Sequence, residues 1–571
     1  MSVRSNLSMA TVAYFSMEIG VEPEIPTYSG GLGILAGDTL RSAADLGVPM
    51  LGITLLHRKG YFRQHLDALG NQTESAELWN PEDMLEPLAP TVTITIEGRP
   101  VQVRAWRYQI QGYSGHTVPV YFLDTRLPEN RAWDQTITDH LYGGDDYYRL
   151  CQEVVLGMGG IALLSALGLD GKVIYHMNEG HSALLTLALL ERQMPPQTDQ
   201  PPTEAEVEAV RQQCVFTTHT PVPAGHDQFP WDLLERVVGR KRAVLLQATE
   251  CCIMGRLNMT YMALRFARYI NGVAMRHGEV SHGMFPNYPI DAITNGVHAP
   301  TWTSPAFAEL YDRHIPEWRQ DNFYLRYAIG ISLPEIQEAH AWAKRELLSE
   351  VQRRTGGHLS DNVLTIGFAR RATSYKRQDL LFYDLERLKA MAQRVGRLQV
   401  IYGGKAHPRD EGGKEMIRRV FQAAATLGDA VRVVYLENYD MALGKLICAG
   451  VDLWLNTPLR PQEASGTSGM KAALNGVPSL SVLDGWWVEG HVEEVTGWSI
   501  GADLKTPGDQ ARDAASLYDQ LERVIMPKYY GNQTGYAQIR RYAIALNGSF
   551  FNTQRMVSQY VVNAYLPPNR N

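Results

Sequence analysis

Residues 463–476, Glu-Ala-Ser-Gly-Thr-Ser-Gly-Met-Lys-Ala-Ala-Leu-Asn-Gly, set a loop of small residues directly before a helix-forming run, with a single lysine, Lys471, near the helix start. Gly466 and Gly469 permit close main-chain approach, and the N–H groups that open a helix lack partners of their own. A phosphate group would sit well against such a loop, with an amine beside it. The spacing is not that of a nucleotide-kinase P-loop, and Gly403-Gly404-Lys405 and Gly412-Gly413-Lys414 also lack the Gly-x4-Gly-Lys-Ser/Thr order. ATP hydrolysis is therefore not the expected chemistry. Taken locally, the same residues would also serve as a plain strand-to-helix turn with a solvated lysine, so the choice rests on the rest of the chain.

A second cluster, Arg370-Arg371-Ala-Thr-Ser-Tyr375-Lys376-Arg377, gathers cations just after an apolar run, where a ligand above a parallel sheet would lie. Charged runs of this kind are also common as solvated loops. Tyr28-Ser-Gly30-Gly31-Leu32-Gly33 is a glycine-rich loop before a helix. Together these segments suggest a cleft between two domains, each donating a glycine loop. The histidine segments His176-Met-Asn178-Glu179-Gly-His181 and Thr218-His219-Thr220 match neither H-E-x-x-H nor H-x-x-E-H. No metal is expected, and hydrogen-bonding histidines are the default.

The elements that must position these residues follow a simple alternation. Short β-branched runs at 11–15, 172–176 and 213–217, then at 363–368, 398–402, 431–436, 451–455 and 478–483, alternate with longer helical patterns. That is the pattern of βα units and parallel sheets, in which ligands bind beyond the carboxyl ends of the strands. The change of theme at Thr294-Asn295-Gly296 marks the expected boundary between domains 1–293 and 294–571, with the last helix packing back on the first domain. The Pro- and Gln-rich stretch 193–203 reads as a surface loop.

Composition bounds the function class. The chain has 571 residues, 45% of them hydrophobic, with net charge −7 and a pI near 6.2. Such a balance disfavours an electrostatic nucleic-acid partner. The apolar run 154–169 is short for a membrane span and carries several glycines, so a buried helix is expected and no membrane partner. No cationic and then apolar leader opens the chain. Cys151, Cys214, Cys251, Cys252 and Cys448 lack C-x-x-C spacing and read as reduced thiols of a cytoplasmic protein.

With these segments assembled, the chain resembles the α-glucan phosphorylases (glycogen, starch and maltodextrin), in the short bacterial and archaeal form. The loop Glu463 to Lys471 with Leu474-Asn475-Gly476 and Leu483-Asp484-Gly485 resembles that family's cofactor-lysine signature, and Arg370-Arg371-x3-Tyr375-Lys376-Arg377 its phosphate-recognition segment. Gly30-Gly31-Leu32-Gly33, Thr218-His219-Thr220, Asn271-Gly272-Val273, Gly403-Gly404-Lys405-Ala406, Leu436-Glu437-Asn438-Tyr439 and Asn547-Gly-Ser-Phe550 agree in order along nearly the whole chain.

The resemblance implies an α/β fold of two Rossmann-like domains facing across a cleft, the GT-B arrangement. It implies pyridoxal 5′-phosphate on Lys471 as a Schiff base, its phosphate held by Arg370 and the backbone of Thr467 and Ser468, with Tyr439 and Tyr14 near it. Arg371 and Lys376 would bind substrate phosphate, assisted by the backbone around Gly31 and Leu32. His219, Asn295, Glu463 and the backbone of Ala464, Ser465 and Gly466 would grip glucose, and Tyr375 would lie against the sugar or its phosphate. Arg371, Lys376, His219 and Lys471 would then be the catalytic set. The implied reaction is retaining, reversible phosphorolysis of an α-1,4-glucan with orthophosphate to glucose 1-phosphate, the cofactor phosphate relaying the proton. A homodimer stays open.

The chain departs from well-known members at Arg370, where they carry lysine, and at Asp440. Rival readings are a nucleotide-sugar glycosyltransferase, a glycosidase using Asp145, Asp146 and Glu153, and a non-catalytic glucan binder using Trp486 and Trp487.

Overall fold

The computed structural model describes residues 9–195, 200–222, 225–501 and 508–566, so part of the 193–203 stretch lies outside the described residues. The N-terminal half carries β1 (Thr11–Phe15), β2 (Met50–Leu55), β3 (Arg63–Leu66), β4 (Gln72–Ser75), β5 (Glu86–Ile96), β6 (Arg99–Gln111) and β7 (Thr117–Asp124). It continues with β8 (Val173–Asn178), β9 (Cys214–Thr217), β10 (Gln228–Pro230), β11 (Cys252–Ile253), β12 (Arg256–Asn258), β13 (Tyr269–Gly272) and β14 (Asp291–Ala292). Nine of these form one sheet in the order β14-β13-β9-β8-β1-β2-β7-β6-β5. It is parallel from β14 to β7, and β5 and β6 extend it antiparallel.

The second half repeats the design with β15 (Leu364–Ala369), β16 (Leu398–Gly403), β17 (Val431–Leu436), β18 (Leu453–Asn456), β19 (Ser479–Val482) and β20 (Gly497–Ile500). These form an all-parallel sheet ordered β17-β16-β15-β18-β19-β20. β15, β16, β18 and β19 are buried along their whole length, which is why they read as continuous apolar runs rather than alternating ones. The order reverses at β15/β18, the switch point where an open α/β sheet leaves a crevice.

Each sheet has its own core. Phe15, Ile53, Val103, Leu156 and Phe216 anchor one face of the first, and Phe368, Val400, Leu455, Leu480 and Trp498 anchor the second. The apolar run at 154–169 belongs to a helical stretch Asp146–Ala166, with Cys151 to Ile161 buried inside the first core. On the opposite face of the first sheet, Val12 and Tyr14 meet Leu35 and Leu40 of the helix Gly31–Leu46 and, from the far end of the chain, Met556, Val557 and Tyr560. The chain therefore crosses back at its end.

The hairpin β3–β4 bridges the halves. Gln64 exchanges hydrogen bonds with Asn438 at 3.1 and 2.9 Å, and Gln72 exchanges them with Ala406 at 2.9 and 3.0 Å. Tyr28 accepts from the Met441 N–H at 3.0 Å. These contacts seat the loops after β16 and β17 against the first half.

Candidate active site

β15 ends at Ala369, so Arg370 to Lys376 leave the carboxyl end of the sheet beside the loop that follows β18. Gly404 makes this possible: its φ is +138°, and a Cβ there would lie 1.8 Å from the Arg370 carbonyl oxygen. Across from it, Gly466 holds φ at +72° and curls the 463–468 loop to within 3.5 Å of Arg370 Nη2, measured from an ideal Cβ. Both turns need glycine.

Glu463 sits between two cations. Arg370 Nη2 reaches its Oε2 at 2.7 Å, and Lys376 Nζ reaches Oε1 and Oε2 at 2.7 and 2.6 Å. Burial alone would raise this carboxyl, but Arg370 and Lys376 outweigh it and hold it at about 2. Stability from this group is present above its ordinary value near 4.5 and is lost as pH falls toward 2. Glu463→Gln leaves both cations uncompensated in a buried place, so unfolding by denaturant at pH 7 should show a loss of about 3–5 kcal/mol.

Asp484 completes this corner, accepting from the Glu463 N–H at 2.9 Å and the Gly485 N–H at 3.0 Å. Burial, joined by the Glu463 charge, pushes its carboxyl up to about 7 despite those two donors. A raised carboxyl favours the fold at low pH and loses that contribution as pH rises through 7. The thermal midpoint of the wild type should therefore decline between pH 5 and 8 more steeply than that of Asp484→Asn, measured in parallel.

Lys471 lies buried in the helix Ser468–Ala473. That helix is only 6 residues long, so unpaired N–H groups rather than an extended dipole are what its start can offer an anion. Among the described residues no carboxylate pairs with the Lys471 amine, which lies 3.6 Å from the centroid of the Trp302 ring. Withdrawal from water pushes the ammonium down, partly opposed by Asp38 and the Cys448 thiol. Asn475 fixes this pairing: its Nδ2 donates to the Lys471 and Trp302 carbonyls, each at 2.9 Å, and its Oδ1 accepts from the Ser304 N–H at 2.7 Å. A buried amine with a lowered pKa is suited to attack a carbonyl carbon.

The first half faces this cluster with Glu18, whose Oε2 accepts from the Ser29 and Gly30 N–H groups at 2.6 and 3.3 Å and whose Oε1 accepts from Tyr142 at 2.9 Å. The carboxylate thereby pins the glycine loop at the point where Gly31 and Leu32 open the 16-residue helix. Arg371 reaches solvent yet is crowded by groups from both halves, as a cleft wall would be. Desolvation works against its charge, but Tyr375, Tyr61, Tyr142 and Glu18 outweigh it and raise its pKa. Tyr375 also lies under Lys376, whose amine is 4.5 Å from the ring centroid.

At the carboxyl end of the first sheet, His219 Nε2 meets Asn178 Oδ1 at 2.6 Å and its backbone N–H donates to Glu179 Oε2 at 2.8 Å. Burial pushes the imidazole down to about 3, so it is neutral and leaves Nδ1 as an acceptor. The buried Asn295 Oδ1 has no hydrogen-bond partner among the described residues.

The structure thus joins Arg370, Tyr375, Lys376, Glu463 and Gly466 in direct contact. Ala464 and Ser465 lie between, with the Ser465 carbonyl accepting from the Trp486 N–H at 2.9 Å. Thr467 accepts from the Lys471 N–H at 3.2 Å, and Ser468 accepts from Trp454 at 3.1 Å. Tyr439 packs on Gly403 and Gly444 and lies near Arg370 and Cys448. Tyr14 is a correction: its ring is buried in the first half, 4.8 Å from that of His176, and the structure does not bring it to the lysine loop. The side chain of a strand residue faces one side of the sheet, and this one faces the C-terminal helix.

Other residues settle differently from the rival readings. Asp145 caps the helix Asp146–Val154, Asp146 is exposed in its first turn, and Glu153 is buried against Arg149 at 3.3 Å, so they do not flank one site. Trp486 and Trp487 are buried, with Trp486 packed 4.9 Å from Phe551. Asp440 caps the helix Met441–Gly450 through the Leu443 N–H at 2.8 Å. Sequence reasoning missed Trp302, Glu18 and Tyr142. Only Asn475, already part of a motif, hinted at Trp302.

The carbohydrate phosphorylase family matches residues 246–500, which hold the cationic loop and the lysine loop. The chain is 40% identical to a maltodextrin phosphorylase of Thermococcus litoralis over 97% of its own length and 70% of the relative's. It is 37% identical to a glycogen phosphorylase of Mycobacterium tuberculosis, covering 97% and 71%, and 34% identical to one of Aquifex aeolicus, covering 97% and 86%. The likeness spans both sheets and the cleft between them, and on that ground the chain belongs to the carbohydrate phosphorylase family.

Proposed function

We propose that the protein is an α-glucan phosphorylase that transfers a terminal glucose from an α-1,4-glucan to orthophosphate, releasing glucose 1-phosphate with retention, and that it runs in both directions. The observation that carries this reading is the convergence of Arg370 and Lys376 on a loop whose buried lysine, Lys471, has no carboxylate partner among the described residues, with Arg371 facing groups of both halves next to them. So many cations with one carboxylate among them suit more than one phosphate group.

The residues present fit pyridoxal 5′-phosphate. Among the described residues Lys471 pairs with no carboxylate and the buried Arg370 Nη1 has no partner, and Thr467 and Ser468 stand at a helix start, where the first N–H groups lack partners within the helix. Lys471 would hold the group, with Arg370 and the Thr467 and Ser468 backbone at its phosphate and Tyr439 beside it. When bound, it supplies a phosphate able to exchange a proton with a neighbouring phosphate. The protein's own residues do the rest. Arg371 and Lys376, with the Gly31 and Leu32 N–H groups, hold orthophosphate against the anomeric carbon as positive charge develops there. The neutral His219 accepts a sugar hydroxyl at Nδ1, and Asn295 Oδ1 accepts another. Glu463 keeps Arg370 and Lys376 in place and can itself accept from the sugar. A cavity of about 310 Å³ lined by Tyr61, Phe62, Tyr142 and His407 adjoins this cleft and offers room for further glucose units. The free thiols suit a reducing compartment, and we place the enzyme in the cytoplasm.

Incubating maltodextrin with the enzyme with and without orthophosphate tests the reading. Sugar release should require orthophosphate, and nucleotide sugars should give no glucan elongation. Phosphate-independent release of glucose would instead mark a hydrolase.

A further inference from the structure

Behind the loops that carry His219 and Asn295, the strand ends of the first sheet are tied to the end of the chain by one closed set of buried hydrogen bonds. Register places Asn178, Thr217 and Asn271 side by side on β8, β9 and β13. Tyr565 lies 2.7 Å from His176 Nδ1, and His176 Nε2 lies 2.8 Å from Thr217 Oγ1. Thr217 donates to Asn271 Oδ1 at 2.9 Å, Asn271 donates to the Tyr560 hydroxyl at 2.9 Å, and that hydroxyl lies 3.0 Å from Thr217 Oγ1.

Donors and acceptors balance in a single arrangement. Tyr565 donates to His176 Nδ1, and His176 Nε2–H and Tyr560 O–H both donate to Thr217, which passes its own proton to Asn271. The arrangement needs a neutral imidazole, and burial supplies one by pushing His176 down to about 3. His219 follows Thr217 by a two-residue step, and its partner Asn178 follows His176 by the same step. The same C-terminal helix, Thr553–Tyr560, grips the other sugar loop: Arg555 Nη1 donates to the Thr294 carbonyl at 2.6 Å and Nη2 to the Asn295 carbonyl at 2.9 Å. Thr294 is held from the second half as well, donating to Glu489 at 2.7 Å.

We propose that Arg555 and Tyr560 are positioning residues for the donor sugar: the end of the chain sets Asn295 and His219 at the geometry in which they hold the glucose ring. This rests on the reading of Asn295 and His219 as sugar ligands. The guanidinium bridges two successive carbonyls with charge-assisted hydrogen bonds, so it fixes the peptide from which Asn295 projects. Displacing a binding group by about 1 Å costs on the order of 100-fold in rate.

The test uses the full-length holoenzyme and a double-mutant cycle. Arg555→Met should lower kcat/KM for glucose 1-phosphate in the synthetic direction about 10–100-fold. The KM for orthophosphate and the absorbance of bound cofactor should stay within about 2-fold, because neither contacts this loop through Arg555. In an Asn295→Ala background the same change should have little further effect. Arg555→Lys, which keeps one charged donor, should recover part of the loss. Tyr560→Phe, isosteric and milder, should reproduce the sugar-specific pattern through His219 and serves if Arg555→Met does not fold. Equal losses in both backgrounds, or a lowered thermal midpoint with unchanged sugar kinetics, would overturn the proposal. Asn295→Ala without effect would overturn the sugar-ligand reading, and the proposal with it.

Discussion

Lys471→Ala should leave a folded protein that no longer retains pyridoxal phosphate and has lost phosphorolysis by at least about 10³-fold, an increase of about 4 kcal/mol in the barrier. The expectation follows from where the amine sits. A lysine in the helix Ser468–Ala473 that is buried, unpaired by any carboxylate among the described residues and set against the Trp302 ring is costly to keep unless it serves a bond. Removing it relieves that cost, so thermal stability of the apoprotein should hold or rise slightly while the visible absorbance of bound cofactor disappears. Adding free pyridoxal phosphate should not restore the rate. A variant that binds the cofactor as the wild type does would show that the anchor lies elsewhere.

Arg371→Met should be the next most damaging change, lowering kcat by about 10²–10³-fold and raising the KM for orthophosphate, with cofactor binding intact. Unlike Arg370 and Lys376, which are both engaged by Glu463, Arg371 forms no ion pair among the described residues and lies between Tyr61, Tyr142 and Glu18 of one half and Tyr375 of the other. It is the cation best placed to meet a phosphate that arrives and leaves at each turnover. Arg371→Lys keeps the charge but not the fork, so it should recover only part of the loss. Steady-state kinetics with orthophosphate varied at saturating maltodextrin separates the two effects. An unchanged KM for orthophosphate would remove Arg371 from the substrate phosphate site.

Much of this arrangement was legible in the residues. The buried strands Leu364–Ala369 and Leu398–Gly403 announce themselves as unbroken apolar runs because helices cover both faces of their sheet. The glycines at 404 and 466 and the cations at 370, 371 and 376 stand in three short motifs that spacing alone picks out, but only their order along the whole chain pointed to one site. The antiparallel strands Glu86–Ile96 and Arg99–Gln111 were not legible, since Pro87 and Pro90 break the first and its outer positions are exposed. Glu18 and Tyr142 lie far apart in the chain and meet only because the segment after β1 and the loop before the helix Asp146–Val154 converge beyond the carboxyl end of β1. Tyr14 was misplaced for a related reason: a strand position is plain from sequence, but which face its side chain takes depends on what packs there, here Tyr560 and Tyr565 from the other end of the chain.

The most direct measurement of the central claim is phosphorus NMR of the purified protein, loaded with pyridoxal phosphate and incubated with maltodextrin and orthophosphate. The account predicts consumption of orthophosphate with formation of α-glucose 1-phosphate, and the reverse flux when glucose 1-phosphate and maltodextrin are supplied. Bound cofactor with no glucose 1-phosphate formed or consumed in either direction would contradict it.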